Sequence, residues 1–432
     1  MPSLRLPERV RAPRPQRIIL PNGLPLYCIN QGQLEVARLD LVFRGGRWTE
    51  QKPLVATGVA GLLMEGTHRH SAAWIAEQTD FYGSSLGASF SMDSVEVSLF
   101  GLTRHYAHLL PIMMEVVCAA AFPKEELQSF IAYHQARLLI DLEQIDVVAF
   151  RVLTEKIFGT HHPYGYNSTP EAYAQLTQED LLQYVHHHFH AANAYAVLSG
   201  RFHLKLIDHV CEQLAQLPSQ IAQHPPQIDP PPAPTGVYQH VYMPHTSQTA
   251  IYLGRRLWPR HHPDFPAFYI LVTLLGGFFG SRLIKRIREK LGYTYNIYAE
   301  METMAHDGYL LIATETATER AAETLSEIFA AIRRLQLEPP DEEELRMLRS
   351  YLLGNLLAQL DGPFNQADYV RTHLTEQAPL DMVERIIHTL HHIKPHTLQE
   401  LACKWLDPQV LTVITVGPKK IPHRKKPKPY AY

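Results

Sequence analysis

Six of the twelve residues in His224–Thr235, HPPQIDPPPAPT, are proline. Proline holds φ near one value and lacks a backbone N–H, so such a stretch continues neither a helix nor a central strand. It divides the chain. A linker over 218–236 separates an N-terminal domain, 1–217, from a C-terminal domain, 237–418, with a basic tail at 419–432. At 432 residues the chain exceeds one ordinary core, and two domains of about 200 residues are the natural division.

The halves share a pattern. Met113–Leu142 and Leu325–Leu360 each read as a long helix, a proline with an acidic turn, and a second long helix. Each half then closes with a short helix and an apolar strand, over Leu176–Gly200 and His396–Gly417. Thr177 and Asp180 have the spacing of a helix-capping pair. Strands are expected early in each half, in ARLDLVFRGG from Ala37 and QTAIYLGRRL from Gln248. TYNIYAEMET and DGYLLIATET alternate as a hairpin with its turn at His306-Asp307-Gly308. The fold class is α+β: two homologous domains, each a mixed, mostly antiparallel sheet covered by helices.

Composition removes several function classes. A net charge of −3 offers no global case for nucleic acid, and PKKIPHRKKPKP (Pro418–Pro429) reads as a solvated tail. Cys28, Cys118, Cys211 and Cys403 form no CxxC pair and read as free thiols. No run of 18 apolar residues provides a membrane span. The start, MPSLRLPERVRAPRPQ, lacks the apolar core of a secretory signal, which points to the cytoplasm.

Candidate chemistry is sparse. The 25 histidines raise metal binding. His186 and His190 stand four apart but have no nearby carboxylate to complete a zinc set, and Glu65 and His68 stand three apart but Gly66 and Thr67 break the helix between them. Ser84-Ser85 lack a nucleophile-elbow context. GGFFGSR, from Gly276, has no phosphate-loop lysine, so its glycines read as a close backbone approach or a hinge. PLVATGVAGLLMEGT, from Pro53, reads as a buried helix stopped by Gly66, and before Glu65 at its end it has no residue able to hold a metal or a proton. In RIREKLGYTYNIY, Arg288 falls near the end of a helix begun at about Ser281, and Tyr295 enters a strand. A guanidinium and a phenol converging from two elements can grip a peptide carbonyl as charge develops on its oxygen. Spacing alone equally suits a surface arginine and a half-buried tyrosine.

LLGGFFGSRLIKRIREKLGYTYNIY (274–298) resembles the second-domain signature of the pitrilysin/insulinase family of zinc peptidases, which includes the mitochondrial processing peptidase. ILPNGLPLYCIN (19–30) and GTHHPYGYNSTPEAYAQLTQEDLLQYVHHHF (159–189) resemble other blocks of that family, in matching order across nearly the whole chain. The resemblance implies the family's α/β-roll domains. It makes Arg288 and Tyr295 the pair that binds substrate backbone and the reacting carbonyl, and Gly276, Gly277 and Ser281 a substrate-binding loop. It demotes His162 to a structural member of its turn. Active members carry HxxEH on the first-domain helix. Alignment on Gly66-Thr67 places Thr57, Gly58, Val59, Ala60 and Gly61 on those five positions, and the third ligand lands near Arg137. The ligand positions Thr57 and Gly61, and the general-base position Ala60, are therefore degenerate. This chain is expected to bind no metal, and small residues there allow close helix packing.

The resemblance leaves three functions open. The first is a non-catalytic, substrate-binding subunit of a heterodimeric zinc peptidase, inactive alone. It would supply Arg288 and Tyr295 to an HxxEH-bearing partner that holds the zinc, and bind peptide or unfolded protein along a sheet edge. The second is a structural or peptide-binding protein with no peptidase partner. The third is a self-sufficient hydrolase with a displaced metal site at Glu65/His68 or around His186 and His190.

Overall fold

The computed structural model describes residues 10–219 and 233–422. Most of the expected linker and most of the basic tail lie outside the described residues. The first half holds β1 (Gln16–Ile19), β2 (Pro25–Asn30), β3 (Val36–Arg44), β4 (Ser85–Phe90), β5 (Ser94–Leu102) and β6 (Ala194–Gly200), in the sheet order β1-β2-β6-β3-β5-β4. The second holds β7 (Tyr238–Tyr242), β8 (Gln248–Leu257), β9 (Ile297–Thr303), β10 (Gly308–Ala317) and β11 (Thr412–Gly417), in the order β7-β11-β8-β10-β9. With β1 set aside the two orders are the same. In both, the opening strand pairs parallel with the closing one (β2 with β6, β7 with β11), and the other pairs are antiparallel. The duplication expected from the sequence is thus present in topology.

The helices follow the same scheme. The first half carries α1 (Val55–Leu62), α2 (Ala72–Phe81), α3 (Tyr106–Ala119), α4 (Lys124–Asp141), α5 (Ile145–Phe158), α6 (Pro170–Ala174), α7 (Gln178–His188) and α8 (Leu204–Leu214). The second carries α9 (Phe265–Val272), α10 (Ala321–Leu337), α11 (Glu342–Ala358), α12 (Gly362–Thr375), α13 (Met382–His392) and α14 (Pro395–Trp405). Thr177 and Asp180 form the expected reciprocal cap at the start of α7. Asp341 and Glu344 form a second one on α11, just after Pro339-Pro340 have ended α10. One boundary differs from expectation. The first helix ends at Leu62, and Gly66, at φ +125°, instead bridges to Ser71.

Alternation along the strands gives each sheet two apolar faces. Leu39, Leu41 and Phe43 of β3 join a core with Leu109, Met113 and Val117 of α3. Val42, with Tyr195 and Val197 of β6, lies on the opposite face against Ala367 and Val370 of α12, which comes from the second half. The second sheet mirrors this. Ile251 and Leu253 of β8 face helices of their own half. Ala250, Tyr252, Leu311, Ile414 and Val416 instead meet Ala149, Leu153 and Ile157 of α5, from the first half. Gly254 permits the approach, since a Cβ there would stand 3.0 Å from Leu153 Cδ2. Each half therefore lends one helix to cover the other's sheet.

Charges register the exchange at α12. Arg38 of β3 binds Asp40 at 2.9 Å and Asp368 of α12 at 2.5 Å, while Arg371 of α12 pairs with Glu96 of β5. Such partly buried pairs contribute little net stability but penalise other orientations.

Leu153→Ala is expected to cost about 2–5 kcal/mol through the cavity it leaves. Because Leu153 belongs to one half and covers the other, a thermal melt should move down as one transition. Two transitions of which only one moves would contradict interlocked halves.

Candidate functional site

The helix that would carry a zinc motif is built for packing. Its start is held by Glu50, whose carboxylate accepts from the backbone N–H of Leu54 (3.0 Å) and Ala56 (2.9 Å) and from the Tyr166 hydroxyl (2.7 Å). Burial raises the Glu50 pKa, and those hydrogen bonds hold it back. Nothing in the local sequence marks Glu50 as the anchor of α1. At Gly58 a Cβ would stand 2.9 Å from Leu181 of α7, and at Gly61 2.5 Å from the Phe130 ring of α4. Ala60 is buried. The small residues let two helices close on α1, as expected from their size.

Those positions do not fit a zinc ion. Glycine and alanine carry no donor, and the one hydroxyl, on Thr57, is a poor substitute for imidazole. Arg137, where the third ligand was expected, is exposed and pairs with Asp141 at 3.0 Å. Among the described residues no three His, Cys, Asp or Glu side chains group as a ligand set. His186 is exposed on α7, whereas His190 is buried beyond that helix's end, so the two share no helical face. Glu65 lies past the end of α1, its carboxyl raised by burial and by Glu126, and His68 is exposed.

The second candidate cluster lies at the entry to β9. Arg288 is exposed on a wide helical turn, Ile284–Lys290, with its guanidinium 5.3 Å from the Phe279 ring centre. Gly292, at φ +63°, ends that turn, its N–H donating to Arg288 O (3.2 Å). Tyr295 then stands 92% exposed, two residues before β9 begins. Three buried threonines hold this stretch on β10. Thr294 Oγ1 donates to Glu315 O (2.6 Å), Thr314 Oγ1 to Asn296 O (2.8 Å) and Thr316 Oγ1 to Tyr293 O (2.6 Å). Thr294 is buried and Tyr295 exposed, at the bend just before the strand. Sequence analysis named Arg288 and Tyr295 but missed the threonines, which look like ordinary strand residues.

The expected loop is not a loop where its glycines lie. Gly276 and Gly277 belong to a helical turn, Thr273–Gly277, continuous with α9. A Cβ at Gly276 would stand 2.4 Å from the backbone N of Ala299, which is the close backbone approach the sequence suggested. Ser281 is fully buried, with its hydroxyl unpartnered among the described residues, so its side chain offers no surface to a substrate. The packing of β9 against Gly276 buries that residue, while Gly277 is half-buried against Thr273.

A buried polar cluster joins the halves. Tyr164 N–H donates to His162 Nδ1 (3.0 Å), which leaves the proton on Nε2, facing Asp307 Oδ2 at 3.2 Å. Arg256 grips the same carboxylate through Nε and a terminal nitrogen at 2.6 and 2.8 Å. Asp93 accepts from the Tyr164 hydroxyl and from Ala305 N–H (3.0 Å). His162, expected as a turn member, is also a bridge between halves. Burial pushes the Asp93 pKa up to about 6, assisted by Glu376 and Asp307 and opposed by its two donors.

Residues 175–352 match the family model described as Peptidase M16 inactive domain. A protein named an uncharacterized zinc protease, from Rickettsia felis, is 21% identical over 414 residues, covering 93% of this chain and 97% of the relative. One named Non-peptidase homolog YmxG, from Helicobacter pylori, is 23% identical over 341 residues, covering 77% of each. The crystal structure of a peptidase M16 inactive domain from Pseudomonas fluorescens matches with a TM-score of 0.86 at 22% identity, covering 95% of this chain and 100% of that one. The family resemblance and the two-domain α+β fold expected from the sequence are both met. No helix among the described residues is long and apolar enough to cross a membrane.

Two outcomes follow from the geometry. Asp93 has a raised pKa in the folded chain, so the folded state holds the extra proton between the unfolded value of 3.8 and about 6. Its contribution to stability therefore falls as pH rises through that window. Asp93→Asn should flatten the stability–pH curve there, measured by urea melts from pH 4 to 7, and an unchanged slope would contradict it. Gly276→Ala should cost about 1–3 kcal/mol, because the facing atom is backbone and cannot swing away. Gly61→Ala should cost less, since the half-buried Phe130 ring can turn, and differential scanning calorimetry compares the two.

Proposed function

We propose that this chain, which carries a peptidase M16 inactive domain over residues 175–352, is the non-catalytic, substrate-binding subunit of a two-chain zinc peptidase. The observation that carries the proposal is the pairing of two opposites in one chain. The α1 helix has no residue able to hold zinc, while Arg288 stands exposed on the Ile284–Lys290 turn and Tyr295 on the threonine-pinned stretch that leads into an edge strand. Arg288 makes no ion pair among the described residues, so its donors are available to a ligand.

In this function the metal and its activated water belong to an HxxEH-bearing partner. This chain's part is electrostatic. The Arg288 guanidinium and the Tyr295 hydroxyl donate to a peptide carbonyl and hold its oxygen more strongly as it becomes anionic. The threonine anchoring fixes the backbone that carries Tyr295, which limits how far its donor must move to reach a carbonyl. A peptide in extended form can align on the free edge of β9, which adjoins the pair. Metal and charge stabilisation need only meet in space, so they can come from two chains.

A second function is favoured by one specific observation, the relative named Non-peptidase homolog. Under it the chain binds peptides or builds a complex without a peptidase partner. Mixing the purified chain with an HxxEH homologue from the same source separates the two. Peptide turnover should appear in the mixture, and Arg288→Ala or Tyr295→Phe should reduce kcat by about 10²- to 10³-fold, the usual effect of losing one such donor. Size-exclusion chromatography should show assembly unchanged. Unaltered turnover in both variants would remove this chain from the chemistry, and no turnover in any pairing would favour the second function.

A further inference from the structure

The Ile284–Lys290 turn and α11 form the walls of a cavity of about 550 Å³, lined in part by Phe278, Phe279, Lys285, Arg346, Met347 and Tyr351. That volume lies within the range of about 300–1,000 Å³ typical of ligand sites. Its floor is aromatic: the Phe278 and Tyr351 rings stack with centres 5.1 Å apart. Phe279 is 64% exposed, an unusual position for a large apolar ring. It also touches the proposed carbonyl-binding pair, because the Arg288 guanidinium lies 5.3 Å from its centre. The groove and Arg288 thus form one continuous surface.

The charge pattern names the occupant. Neighbouring arginines are neutralised. Arg282 meets Glu344 through two bonds at 2.9 and 2.8 Å, and Arg286 meets Glu327 at 2.8 and 3.0 Å. Lys285, Arg346 and Arg288 are exposed and make no ion pair among the described residues, and the one acid on the lining is Glu289. Two unmatched cations on the lining, Lys285 and Arg346, against one unmatched anion, with Arg288 beside Phe279 and in a chain of net charge −3, favour a carboxylate and oppose a basic ligand. An apolar floor beneath that rim favours a large side chain next to it.

We propose that this groove is a subsite for a peptide segment in which a large aromatic or aliphatic residue is adjacent to an acidic one. The apolar side chain would enter between Phe279 and Tyr351, with the acid meeting Arg346 or Lys285. The inference rests on the peptide-binding function proposed above and narrows it to a substrate class.

Direct binding to the full-length chain alone tests it, by fluorescence anisotropy with three labelled hexapeptides differing at the central pair: Phe-Glu, Phe-Lys and Ala-Glu. Phe-Glu should bind about ten-fold more tightly than either other peptide. Phe279→Ser should abolish the advantage of Phe over Ala, and Arg346→Glu should invert the preference for Glu over Lys. Both sites are exposed, and circular dichroism checks that the variants fold. Equal affinity for all three peptides, no binding of any, or an unchanged preference in Arg346→Glu would overturn the subsite. Because no partner or turnover is involved, the result is separate from the subunit function. Discrimination without turnover in any pairing would sustain the subsite and remove the peptidase role. Arg288-dependent turnover without discrimination would do the reverse.

Discussion

The structure depends on one constraint: both sheets are apolar on both faces, so each needs two covers. The closing strands β6 and β11 are buried at every position, which a sheet with one wet face would not allow. Each half covers one face of its sheet with its own helices. The second cover comes from elsewhere, as α5 on the second sheet and α12 on the first. The halves are held by exchanged burial, and the covalent connection adds only proximity. Ion pairs around Arg38, Asp368 and Arg371 set the angle at which α12 lies. They act on orientation more than on net stability, since desolvation offsets much of their attraction.

That rigidity bears on the candidate chemistry. In a duplicated fold with interlocked halves, the first-domain helix α1 serves as a packing element. Gly58 and Gly61 do so by admitting Leu181 and Phe130. In the second half, three threonine hydroxyls tie the Tyr293–Asn296 stretch to β10, which fixes the backbone that carries the exposed Tyr295. The groove beside Phe279 is likewise a product of packing. The close contact of Gly276 with β9 holds the preceding turn inward, and the chain re-emerges at Phe279 against α11.

The polar cluster at Asp93, His162, Tyr164, Arg256 and Asp307 shows what joining two halves demands. Two carboxylates from different halves meet in a nearly dry space with one guanidinium. Each keeps its hydrogen bonds, but burial outweighs them at Asp93 and raises its proton affinity. Such a cluster discriminates strongly between the correct docking of the halves and any other, because misplacement would leave buried charge without partners.

Much of this was legible in the sequence. Strand alternation, the capping pair at Thr177, the prolines that end α10, and the repeated order of elements are local signals, encoded within a few residues of where they act. The family blocks drew attention to Arg288 and Tyr295, which are exposed, and to the small residues of α1, which admit Leu181 and Phe130. Tertiary structure alone decided which helix covers which sheet, that Glu50 anchors α1, that Ser281 is sealed from solvent, and that Asp93 and Asp307 share a buried space. The physical reason is separation along the chain: Asp93 and Ala305 are 212 residues apart, and Arg38 and Asp368 are 330. Periodicity records which face of an element is apolar, but not which distant surface will cover it.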